Sequence, residues 1–132
     1  MGTALVDGHF LGIDIGSVSL SYVLIDRNKT ILHSGYLFHH GTIYGHLREK
    51  LESLDLSCVR QVAYNHKAAD FFTAGVSVNE QVALIEGGLF EQADIGSMFV
   101  IGGETFCPAH PPALRNPRLC RPPQLYLTRR RG

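Results

Sequence analysis

Every proline in this chain of 132 residues lies beyond Phe106, and that confines regular structure to the residues before it. Pro108, Pro111, Pro112, Pro117, Pro122 and Pro123 share the last 26 residues with six of the nine arginines and no Asp or Glu. The first 106 residues hold all twelve acids against six Lys and Arg, so a formal net charge of −6 is followed by +6. The neutral total conceals two unlike segments. A proline- and arginine-rich stretch without apolar periodicity buries too little surface to offset its ordering entropy, so residues 107–132 are expected to be disordered. Residues 9–106 are left as one folded region, enough for a single small core.

The apolar pattern within that region predicts an α/β fold. His9–Asp14, Ser19–Asp26 and Thr30–Phe38 read as three strands joined by tight polar turns, which implies an antiparallel meander. Thr42–Leu54 places Ile43, Leu47, Leu51 and Leu54 at helical spacing. Val59–Tyr64 reads as a parallel strand, and Asn65–Ala74 as a connection with room for one helical turn. Ser77 or Asn79 caps a helix running to about Glu91, with Glu80 in the first turn, where an acid suits the helix dipole. Ile95–Ile101 reads as the last strand. Three antiparallel strands followed by alternating helices and parallel strands give a sheet of the ribonuclease-H-like type.

Two short glycine segments carry the chemistry. Gly12-Ile13-Asp14-Ile15-Gly16-Ser17 and Val100-Ile101-Gly102-Gly103-Glu104-Thr105 each follow an apolar run, so each sets free backbone N–H groups at a strand end. In the first, a carboxylate and several backbone donors converge, an arrangement able to cradle phosphate and to hold Mg²⁺ through water.

Other features invite a blander reading. No apolar run reaches the length of a membrane span, and no secretory leader is recognisable, so a cytoplasmic location without membrane or nucleic-acid partners is expected. Cys58, Cys107 and Cys120 are too few and too irregular for a disulfide framework or a zinc site. His39 and His40 are adjacent on a strand and so face opposite ways, which suits structural roles at the strand end better than metal ligation. His66 and Lys67, in the connection after the fourth strand, are within reach of a nucleotide but read better as part of a solvated loop. Arg129-Arg130-Arg131 reads as a basic tail.

Together with Tyr36-Leu37-Phe38-His39-His40-Gly41 and Ser77-Val78-Asn79-Glu80-Gln81-Val82-Ala83-Leu84-Ile85-Glu86-Gly87, the glycine segments resemble the BadF/BadG/BcrA/BcrD ATPase family over about residues 9–106. These are the activases of 2-hydroxyacyl-CoA dehydratases and benzoyl-CoA reductases. The resemblance is strongest to the large, fused CoA-substrate-specific enzyme activases.

The resemblance implies an actin-like ATPase of two ribonuclease-H-like halves with ATP and Mg²⁺ between them, of which this chain supplies the N-terminal half. On it, Asp14, Ile15, Gly16 and Ser17 form the first phosphate loop, with Asp14 on the metal side. Gly102, Gly103 and Glu104 form the second, and Glu80 matches a position that orients the attacking water. Family members are homodimers that share a [4Fe–4S] cluster and use ATP hydrolysis to drive an electron into the acyl-CoA enzyme. The cluster-binding cysteine segment and the adenosine-binding half are absent here, and Cys107 and Cys120 do not replace them. Relatives also carry a Lys shortly after the first loop, where Leu20 and Ser21 stand, and an acid where Val100 stands. Both changes remove charge from the phosphate site and predict poor hydrolysis.

Proline lacks the donor a strand interior needs, so Cys107-Pro108-Ala109 is not expected to pair, and residues 107–132 read as a frameshifted or truncated continuation. The sequence-level expectation is an activase fragment inactive alone. The alternatives are a non-catalytic nucleotide-binding or interaction remnant, and half of a small-molecule kinase of the same superfamily.

Overall fold

The computed structural model describes residues 8–92, 94–95, 97–101 and 106–109. Contacts divide the chain into two units, 1–80 and 81–132.

The first unit is a five-stranded mixed sheet. Strands β1 (His9–Ile15), β2 (Ser19–Ile25) and β3 (Ile31–Phe38) form the expected antiparallel meander. β4 (Val59–Asn65) pairs parallel to β1, and β5 (Val76–Val78) parallel to β4, giving the order β3-β2-β1-β4-β5. Helix α1 (Ile43–Glu52) makes the crossover from the meander to β4, and a 3₁₀ turn, His66–Phe71, begins the one from β4 to β5.

Alternation decides which face of the sheet is covered. Leu11, Ile13 and Ile15 of β1 point the same way as Leu20, Tyr22 and Leu24 of β2, all buried. They share one core with Leu47 of α1, Tyr64 of β4 and Ala68 of the 3₁₀ turn, and Ile43, Leu51 and Leu54 pack against its margin. Burying each large aliphatic side chain contributes roughly 1.5–3 kcal/mol, so this layer rather than helix propensity holds α1 in place. The exposed Arg48–Glu52 pair on α1, 2.7 Å apart, adds little. Asp14, one residue out of phase with the buried row, is thereby directed to the opposite face.

Gly35 permits a close crossing within the meander. A Cβ there would meet the Tyr22 ring, 2.7 Å from its Oη, while Tyr22 stacks on His33 with centroids 5.8 Å apart.

In the second unit, helix α2 (Glu80–Glu91), whose first residue closes the first unit, buries Ile85 against Leu89, Ile95 and Met98. β6 (Met98–Ile101) and β7 (Phe106–Ala109) form a two-stranded antiparallel ladder. This corrects two expectations. The strand read over 95–101 is shorter and has an antiparallel partner. Residues 106–109 do pair, with Pro108 opposite Phe99. Among the described residues this ladder has two strands, so both are edges, and edge strands tolerate proline. The disorder expected of the tail falls beyond Ala109, outside the described residues.

β5 was hidden in sequence because Val76-Ser77-Val78 is too short for an alternating signal, and Ser77 suits a helix cap as well as a strand.

Candidate functional site

The turn from β1 to β2 is fastened from two sides. Asn65, the last residue of β4, is buried and reaches across the parallel pair to the end of β1. Its Nδ2 donates to the Asp14 carboxylate (Oδ1, 2.7 Å) and to the Ile15 carbonyl (2.9 Å), while its Oδ1 accepts from the Ile15 N–H at 3.2 Å. One amide side chain thus satisfies both backbone groups of Ile15, which the end of the ladder would leave bare.

From the other side comes His39, just past the end of β3 and also buried. Its Nε2 lies 3.2 Å from the Gly16 carbonyl, and its backbone N–H donates to the Val18 carbonyl at 3.0 Å. The turn closes on itself where the Gly16 N–H donates to the Ser19 carbonyl at 2.8 Å. Among the described residues, no acceptor pairs with the Ser17 and Val18 amides, and both residues are exposed.

Charge gathers at the same end of the sheet. The Asp14 pKa is raised above its ordinary 3.8, first because surrounding protein crowds an otherwise exposed carboxyl and then because the Glu80 carboxylate repels its charge. Lys67, in the 3₁₀ turn, acts in the opposite direction. The structure therefore brings Asp14, Ile15, Gly16 and Ser17 together, with Glu80 within electrostatic reach of Asp14. Gly102, Gly103 and Glu104 lie outside the described residues.

Ser21 stands directly opposite Asp14 in the β1–β2 register, and Tyr36 stands opposite Ser21 on β3. Leu20 beside it is fully buried in the core. The cation expected near this turn is thus missing from the position facing Asp14, and Lys67 is the basic residue nearest in effect.

Asn65 was not singled out from sequence. The available signal was an amide residue ending a strand that is parallel to β1, and its value depends on a pairing that local pattern does not reveal. His66 and Lys67 are exposed, as a solvated loop requires, and Lys67 still acts on the Asp14 charge.

Among the described residues no three of His, Cys, Asp and Glu come together as a metal-binding group. A lone carboxylate with an open oxygen suits Mg²⁺, which keeps most of its waters and takes further oxygens from a phosphate ligand. Cys58 is an exposed free thiol. No helix among the described residues is long and apolar enough to cross a membrane.

No family model and no curated protein sequence matches the chain. Solved structures do. Component A of the (R)-2-hydroxyglutaryl-CoA dehydratase of Acidaminococcus fermentans superposes with a TM-score of 0.67 at 17% identity, over 78% of this chain and 42% of that one. The activator of the 2-hydroxyisocaproyl-CoA dehydratase of Clostridium difficile, with bound ADPNP, gives 0.64 at 16% identity, over 77% and 40%. The chain spans about two fifths of each of these proteins. Its fold is therefore the α/β, ribonuclease-H-like one found in part of two dehydratase activators.

Proposed function

We propose that the turn between β1 and β2 is the phosphate-facing wall of an ATP site, and that this chain is a fragment of a dehydratase-activator ATPase. The observation that carries this reading is the placement at one sheet end of the Asp14 carboxylate and of the exposed residues Ser17 and Val18, whose amides have no acceptor among the described residues. A fold shared with two dehydratase activators, one of them holding ADPNP, supports it.

In this reading the Ser17 and Val18 amides donate to phosphate oxygens, and Asp14 holds Mg²⁺ largely through its waters. Gly102, Gly103 and Glu104 would form the second phosphate loop, and Glu80 would position the attacking water. The acyl-CoA dehydratase or reductase partner and a homodimeric assembly also belong to this proposal. No residue of this sequence is proposed as a ligand of the [4Fe–4S] cluster that the resemblance implies.

Titrating isotope-labelled chain with MgATP and following its backbone amides tests the reading. The expected result is saturable shifts at Ile15 through Val18, with a Kd on the order of 1 mM because the chain covers only part of the activator fold. Shifts confined to other surfaces would overturn it. No observation favours the small-molecule kinase. The uncharged Ser21 opposite Asp14 favours a binding element with little hydrolysis of its own.

A further inference from the structure

We infer that His39 is a positioning residue for this turn, its Nε2–H holding the Gly16 carbonyl inward so that the Ser17 amide is presented to a phosphate. The inference rests on the nucleotide reading above.

Four bonds meet at His39, which is only 3% exposed. The Gly41 N–H donates to Nδ1 at 3.0 Å, so Nδ1 carries a lone pair. In a neutral imidazole the single ring proton then sits on Nε2, where the partner at 3.2 Å is the Gly16 carbonyl. The His39 N–H binds the Val18 carbonyl, and the His39 carbonyl accepts from the Thr42 N–H at 2.7 Å, immediately before α1. Positive φ at His40 (46°) and Gly41 (84°) turns the chain back so that the Gly41 N–H reaches the ring.

Peptide planarity converts this network into a ligand-facing geometry. The Gly16 carbonyl and the Ser17 N–H belong to one rigid plane and point in opposite directions. Fixing the carbonyl against a buried imidazole therefore directs the Ser17 N–H outward. A carbonyl oxygen facing the ligand would repel phosphate. His39 and Asn65 between them draw in the carbonyls of Ile15, Gly16 and Val18. Preorganised donors of this kind cost no rearrangement on binding.

Two isosteres separate the ring's two bonds. In His39→Asn the side-chain oxygen can take the place of Nδ1 and keep the Gly41 bond, but nothing reaches Gly16. In His39→Gln the side-chain amide can take the place of Nε2 and keep the Gly16 bond, but the Gly41 acceptor is lost. On the full chain, ring ¹⁵N shifts should report the Nε2–H tautomer. The Ser17 N–H dipolar coupling should change in H39N and stay near wild type in H39Q. MgATP should bind about fivefold more weakly to H39N and within about twofold of wild type to H39Q, as one hydrogen bond predicts. The opposite tautomer, or equal losses in both variants, would overturn the inference. Should H39N not fold, the ring spectrum and the H39Q coupling still decide. Absence of MgATP binding by wild type, with the Ser17 coupling still altered in H39N, would sink the nucleotide reading and leave the His39 hold on the turn standing.

Discussion

Asn65 Nδ2 sits 2.7 Å from Asp14 Oδ1, joining two residues 51 positions apart at the ends of parallel strands. The same amide group closes both backbone valences of Ile15. Asn65→Ala should therefore strand a buried N–H and a buried carbonyl together and destabilise the chain by about 2–4 kcal/mol. Denaturant unfolding measures this. A loss below about 0.5 kcal/mol would mean that water satisfies the end of β1 unaided.

Asp14 should titrate above its ordinary value, and its two charged neighbours should move it in opposite directions. Removing the Glu80 charge in Glu80→Gln should lower the Asp14 pKa, and Lys67→Met should raise it further. Side-chain carboxyl shifts followed through an acid titration check both signs. A null result for both would place these charges too far away to take part in the site.

The same raised pKa makes Asp14 a small stability cost at neutral pH. Its favourable share of folding is complete below 3.8 and is lost as pH rises through the higher folded-state value. Asp14→Asn keeps an acceptor for Asn65 and never ionises. The variant should match wild type below that window and exceed it above, by less than about 1 kcal/mol given the exposure of the group. It should also lose any Mg²⁺-dependent nucleotide effect. Thermal melts from pH 3 to pH 7, with and without MgATP, test the two consequences separately.

Ser21 faces Asp14 across the β1–β2 ladder, on the side of the sheet away from the core. Ser21→Lys should set an ammonium beside the carboxylate, lower its pKa and tighten MgATP binding by roughly fivefold. Calorimetry or amide shifts give the affinity. Unchanged binding with a lowered Asp14 pKa would show that the phosphates lie elsewhere.

Gly35 has no room for a side chain above the Tyr22 ring. Gly35→Ala should push Tyr22 off its stack with His33 and cost about 1–3 kcal/mol. Near-ultraviolet circular dichroism should register the displaced tyrosine, and an unperturbed spectrum with full stability would contradict the crossing.

By itself the sequence determined the meander, α1, β4 and α2, because alternation in β1 and β2 and the spacing of Ile43, Leu47 and Leu51 are local signals that need no partner to be read. It also located the turn at Asp14–Ser17, since glycine after an apolar strand constrains the backbone wherever the strand goes. Tertiary structure decided the rest. β5 and β7 are too short to announce themselves, and β7 pairs despite Pro108 in a ladder that has two strands among the described residues. The roles of Asn65 and His39 depend on hydrogen bonds spanning 50 and 23 positions, which come into being only when β4 pairs beside β1 and the end of β3 folds back over the turn. Periodicity reports how a residue meets its immediate neighbours along the chain. Which buried polar groups must satisfy one another is settled only when distant strands are placed side by side.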